Sequence, residues 1–185
     1  ADVEPNNCGE SVSVPATVAQ ADWNTSVTVE EIADGVYLLG GTSANSYMIE
    51  FNDFVAVFEA PGDEARSLAV IEEVVKLAPN KPIRWLITTH PHFDHIGGLR
   101  TYLHIGSTIV THISNLEFLN SDVLSYEPRT VEPDIVSKWP PTELAEGYNY
   151  EAIQERYVIT DNSRLLHVYY VQPLQHVTGM LMAYL

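Results

Sequence analysis

From Val27 onward, short apolar and β-branched runs recur between turn-forming pairs. Residues 27–32, 36–39, 46–51 and 54–59 are separated by Asp34-Gly35, Gly40-Gly41 and Asn52-Asp53, which predicts consecutive antiparallel strands. The period then changes. Asp63-Glu64 precede Leu68, Ile71, Val74, Val75 and Ala78 at three- and four-residue spacing, which predicts a helix with one buried face that Pro79 stops. Acidic residues in its first turn suit the helix dipole. Residues 83–89 read as a buried strand, 90–94 as a loop and 95–103 as a helix. A strand over 108–111 and a helix near 115–119 repeat the alternation.

Two stretches lack such a period. Residues 1–26 carry Pro5, Gly9, Pro15 and few large apolar groups, and read as an extended N-terminal arm or linker. Residues 120–150 hold Pro128, Pro133, Pro140 and Pro141 with Trp139, Tyr148 and Tyr150, so regular structure in the middle of this segment is not expected and a surface loop or lid is. Beyond it, 156–160 and 165–171 form a hairpin through Asp161-Asn162-Ser163, and a last strand covers 180–185. The alternation predicts an α/β layered fold occupying 27–185 as one domain.

The length of 185 residues allows one domain with a sizeable core. Asp plus Glu number 25 against 9 Lys plus Arg, a net charge of −16. That field repels phosphates and argues against nucleic acid or an anionic membrane as partner. No stretch reaches the ~18 uninterrupted apolar residues of a membrane span, and the first ten residues do not read as a leader. A single cysteine, Cys8, excludes an internal disulfide and any multi-cysteine metal site. Asn24-Thr25-Ser26 fits the glycosylation pattern but is read as a chance match. Cellular compartment is not legible.

The chemistry concentrates in Thr89-His90-Pro91-His92-Phe93-Asp94-His95, which holds three of the seven histidines directly after an apolar strand. In an extended loop, alternate side chains point the same way, so His90, His92 and Asp94 are expected to converge, while His95 projects elsewhere. Pro91 favours that extended form. Imidazoles with a carboxylate suit zinc, and iron or manganese also fit. A bare polar loop or a metal-free His-Asp pair are the alternatives. Gly97-Gly98 inside a predicted helix is unfavourable by about 1 kcal/mol per glycine, which points to close packing there. His104, His112 and His167 stand alone in sequence and are read as structural, with His112 able to line a pocket.

Thr-His-Pro-His-Phe-Asp-His-Ile-Gly-Gly resembles the His-x-His-x-Asp-His signature of the metallo-β-lactamase superfamily. Asn45-Ser46-Tyr47, the acidic-start helix and Gln175-His176-Val177-Thr178-Gly179-Met180 extend the resemblance from about Val27 to Leu185. The resemblance implies an αβ/βα sandwich. It implies that His90, His92 and His176 hold one metal ion and that Asp94 and His95 help hold another. It also places a bridging aspartate and a further histidine beyond Leu185, so a C-terminally truncated member, incomplete at that end, is expected.

By that resemblance the chain is a metal-dependent hydrolase, in which a zinc-bound hydroxide attacks an ester, lactam, thioester, lactone or phosphodiester of a small-molecule substrate. One or two zinc ions are the expected cofactor, and Asp94 is both ligand and catalytic base. The alternative is a non-catalytic metal-binding protein with a single incomplete site; an iron-dependent redox member is a third reading. A homo-oligomer formed through the exposed edge of the C-terminal strand is also expected.

Overall fold

A computed structural model describes residues 25–41, 44–124, 133–140, 147–172 and 175–185. The expected arm, with Cys8 and Asn24, falls outside these apart from residues 25–26. Strands β1 (Thr28–Ala33), β2 (Val36–Gly40), β3 (Ser46–Glu50), β4 (Val55–Phe58), β5 (Ile83–Ile87), β6 (Thr108–His112) and β7 (Tyr150–Ile153) lie side by side in chain order. β1 to β4 pair antiparallel; β4 to β7 pair parallel. A second, antiparallel sheet has the order β10 (Leu181–Tyr184), β9 (Leu165–Tyr170), β8 (Arg156–Thr160).

The middle strands of the large sheet are mostly buried on both faces, whereas β1 is exposed, and the two-residue period sorts their side chains between two cores. Val55 and Val57 of β4, Leu86 of β5 and Ile109 of β6 face a helical layer that contributes Val70, Val74, Leu99 and Tyr102. Ala56, Ile87 and Val110, one position on, face the small sheet and meet Ile159, Leu166, Val168 and Leu181. Helices on one face and a second sheet on the other give the layered α/β arrangement expected from the sequence. No helix among the described residues is long and apolar enough to cross a membrane.

Helix α1 (Glu64–Leu77) starts where Asp63 caps it by accepting the Arg66 N–H at 2.8 Å. Its buried face differs from the predicted one. Val70, Val74 and Ala78 are buried with Arg66 and Ser67, whereas Leu68 and Val75 are exposed. The polar pair turns inward for stated reasons: Arg66 donates to Ser26 O, Leu39 O and Gly40 O, and Ser67 packs under Gly98. Periodicity in apolar residues alone misses a buried arginine whose guanidinium reaches backbone carbonyls.

The predicted helix over 95–103 is two helices, α2 (Phe93–Ile96) and α3 (Leu99–His104), interrupted at Gly97-Gly98. A Cβ on Gly97 would lie 1.8 Å from Gly62 O, and one on Gly98 would lie 1.9 Å from Ser67 Oγ. Close backbone approach is therefore the reason for both glycines.

The segment 120–150 holds more regular structure than expected. After a 3₁₀ turn at Ile113–Asn115, α4 (Leu116–Phe118) continues into one π turn, Leu119–Val123, in place of the predicted helix near 115–119. Helix α5 (Ile135–Lys138) forms because Asp134 caps it by accepting the Ser137 N–H, and Arg100 pairs with the same carboxylate. β7 is the strand the sequence reading missed: only Ile153 is buried, so it shows no apolar period. The rest of the expected lid, 125–132 and 141–146, lies outside the described residues.

Candidate metal centre

The site forms beyond the carboxyl end of β5, where open α/β sheets place their binding crevices. After Ile87 the chain bends at Thr89 to Pro91 and reaches His92, which is extended with φ −76° and ψ 146°. His90 is buried; His92 is exposed. Thr89 Oγ1 lies 2.8 Å from His90 Nδ1, which directs Nε2 into the cluster, 3.1 Å from His92 Nδ1.

His176 completes the group from the other sheet. Its Nε2 lies 3.2 Å from His90 Nε2, and its ring stands edge-on to those of His90 and His92, at 77° and 87°. The turn carrying it is held from two sides. Asn115 Nδ2 donates to Gly179 O at 3.2 Å, and Leu181 N donates to Thr89 O at 2.8 Å, tying β10 to the residue before His90. Gly179 has a φ of +82°, and a Cβ there would sit 2.3 Å from Ser114 Oγ, so this turn requires glycine.

One ligand atom each from His90, His92 and His176 fall within 4.8 Å of one another. The donor set fits a metal. Two nitrogens at ~2.0–2.1 Å from a tetrahedral ion lie ~3.3 Å apart, close to the 3.1 and 3.2 Å found here. Burial, then the neighbouring imidazoles of His95, His92 and His176, push His90 down to about 4, so it is neutral near pH 7, as a ligand must be.

Asp94 does not join this group as the alternation predicted. The loop ends at His92, the N-cap position of α2, and Asp94 enters the first turn of that helix instead. There its carboxylate lies 3.6 Å from His95 Nε2, exposed to solvent. The His95 ring sits 4.0 Å from that of His90, so it lies beside the cluster rather than pointing elsewhere.

Glu59 escaped the sequence reading. It directly follows β4 with a φ of +72°, a left-handed conformation rare for a residue with a side chain, and is 5% exposed. Its Oε1 accepts the Thr89 N–H at 3.0 Å, and its Oε2 lies 3.1 Å from His95 Nδ1. That carboxylate raises His95 above its ordinary value, against the opposing effect of burial. The one available sequence signal was a lone glutamate closing an apolar strand directly before Ala60-Pro61-Gly62.

The remaining histidines are apart from the cluster. His112 is buried at the end of β6, against Ser114 and the Gln154 carbonyl, with its ring 4.0 Å from Tyr170. It lines an open pocket of about 500 Å³ with Ile113, Gln154, Glu155, Tyr170 and Gln172. His104 and His167 each bury Nδ1 without a hydrogen-bond partner and share no group of metal-ligating side chains among the described residues.

A model of the metallo-beta-lactamase superfamily matches residues 39–181, and the chain belongs to that superfamily. It is similar to a linear primary-alkylsulfatase of a Pseudomonas species, 28% identical over 97 residues, which is 49% of this chain and 14% of the relative. An alkyl/aryl-sulfatase of Saccharomyces cerevisiae is 28% identical over 99 residues, 53% of this chain and 15% of that protein. Among solved structures, a metallo-beta-lactamase from Pontibacter korlensis superposes with a TM-score of 0.63 at 13% identity, covering 86% of this chain and 67% of its own. The metallo-beta-lactamase FIM-1 from Pseudomonas aeruginosa, in its mono-zinc form, gives 0.59 at 18% identity, covering 85% and 64%. These likenesses define the fold. The chain spans about a seventh of the length of the curated relatives it matches.

Proposed function

We propose that the chain is the metal-binding part of a hydrolase acting on a small ester-like substrate, with sulfate esters the first class to test. The observation that carries this reading is the convergence of three imidazole nitrogens from two sheets within 4.8 Å. His90, His92 and His176 would hold the ion, and Asp94 and His95 would contribute to a second position. Zinc suits three imidazoles best, with iron and manganese behind it. When bound, such an ion polarises the scissile bond and lowers the pKa of a bound water to about 7.

The chain's own groups supply the rest. His90, buried and neutral, presents a lone pair without a competing proton. Asp94, exposed on the first turn of α2, would accept a proton from an attacking water and orient it. Sulfate esters lead because both curated relatives are named as sulfatases; carboxylic esters, thioesters and lactams follow.

The test is metal content by elemental analysis after dialysis, with turnover of p-nitrophenyl sulfate, p-nitrophenyl acetate and a chromogenic lactam. Zinc-dependent hydrolysis of one of these, lost in His90→Ala, is expected. A fully loaded chain that turns over none of them favours a second reading, a non-catalytic single-ion protein, which the exclusion of Asp94 and His95 from the 4.8 Å group supports. We also propose self-association through β10, which pairs with β9 alone among the described strands and exposes Met182, Tyr184 and Leu185.

A further inference from the structure

His176 is exposed, so burial does not set where its ring stands; the turn that carries it does. That turn is fastened at its far end. Val171 N donates to Met180 O at 2.9 Å and Leu181 N to Thr89 O at 2.8 Å, which fix the start of β10. The bond one residue nearer the histidine comes from a side chain: Asn115 Nδ2 donates to Gly179 O at 3.2 Å, across 64 positions. Asn115 is 4% exposed and ends the 3₁₀ turn that follows β6. Its carboxamide is itself held, because Nδ2 also donates to Thr111 Oγ1 at 3.3 Å and Oδ1 accepts from Ser114 Oγ at 3.4 Å.

The fit leaves no slack. A Cβ on Gly179 would lie 2.3 Å from Ser114 Oγ, 2.8 Å from Asn115 Oδ1 and 3.0 Å from His112 Nδ1, so the turn rests directly on the residues that close β6. Gly179 O can only accept, which decides which end of the carboxamide faces it. We propose that Asn115 is a positioning residue for His176: by holding Gly179 O it fixes the turn, and so keeps the His176 ring 4.9 Å from the rings of both His90 and His92. The use of His176 as a ligand rests on the metal-centre reading; the placement of its ring does not.

Asn115→Asp keeps the size and the acceptor but removes both N–H donors, and Asn115→Ala removes the whole group without burying a charge. Proton NMR of the metal-free chain reads ring placement through NOE contacts. Wild type is expected to show contacts from His176 to His90 and His92. In the variants these are lost, whereas the contact between His90 and His92, whose rings lie 4.7 Å apart, persists. Zinc affinity, measured by competition with a chelator, is then expected to fall about 10- to 100-fold. In the His176→Ala background the same substitutions are expected to weaken zinc no further, because Asn115 acts through that ring. Persisting His176 contacts in a folded variant, an unchanged affinity for zinc that wild type binds, or equal weakening in both backgrounds overturns the proposal. Should neither variant fold, wild type decides: a slowly exchanging Asn115 side-chain amide is expected, and free exchange overturns the bond. Lost contacts in a chain whose wild type holds no zinc support the positioning role and sink the metal-centre reading instead.

Discussion

His176 Nε2 lies 3.2 Å from His90 Nε2 although 86 positions separate them. The contact joins the small sheet to the large one at the point where Leu181 N bonds Thr89 O. An ion held there would link the two sheets. His176→Ala is therefore expected to reduce bound zinc and to lower the zinc-loaded chain's stability toward that of the metal-free one. At zinc 100-fold above Kd, binding adds about 2.7 kcal/mol; elemental analysis and calorimetry with and without zinc check both effects.

His92→Ala removes an exposed imidazole whose ring contacts are His90 and His176, so it separates metal loss from misfolding. Lower zinc content and a lower melting temperature with zinc are expected, with little change in the chelated protein. Equal zinc content in wild type and variant contradicts the assignment.

The glycine pair sets how closely α2 and α3 approach the loop before α1. Gly98→Ala places a Cβ 1.9 Å from Ser67 Oγ and 2.7 Å from Asp63 O, and backbone has to move. A loss of about 1–3 kcal/mol in urea unfolding is expected. Reduced zinc content should accompany it, because Ala60 ties this junction to His95.

Arg100 holds the segment after α4 to α3. It is 6% exposed, pairs with Asp134, and donates to Ser137 Oγ and Val123 O. Arg100→Ala removes a buried guanidinium and strips the half-buried Asp134 carboxylate of its partner, and a destabilisation of about 1–3 kcal/mol is expected by denaturant titration. A loss under 1 kcal/mol would show that water replaces the guanidinium freely.

Acid should weaken the metal-free chain in two windows. His90 falls from an ordinary 6.5 to about 4, so the unfolded chain binds its proton first; stability is full above 6.5 and drains as pH falls toward 4. Burial alone would raise Asp134, but hydrogen bonds from Arg100 and Ser137 prevail and hold it at about 2; its contribution is present above 3.8 and is lost as pH falls through 2. His95, raised by Glu59, acts oppositely, favouring the fold below 6.5 and losing that contribution as pH rises through its folded value. Zinc is expected to abolish the His90 window. Denaturant titration across pH, with and without zinc, reads each sign.

The sequence displayed what depends on near neighbours. Pro91 and the two-residue period show His90 and His92 side by side, and Gly97-Gly98 betrays tight packing by its poor local propensity. What it hid depends on contacts across the fold. Asp94 keeps the alternating pattern in sequence, yet the helix that starts at Phe93 carries it away. Glu59 looks like the polar end of a strand until the loop folds over it. Leu68 and Val75 continue an apolar period that Arg66 overrides by reaching three backbone carbonyls and Ser67 by packing under Gly98. His176 entered by family resemblance, since no local pattern links it to a loop 86 positions away.

Crystals grown with zinc, recorded above and below the zinc absorption edge, locate the ion independently of any activity. A strong anomalous peak is expected between His90 Nε2, His92 Nδ1 and His176 Nε2, with a weaker neighbour or none beside Asp94 and His95. Zinc bound elsewhere while these three nitrogens stay unliganded would contradict it.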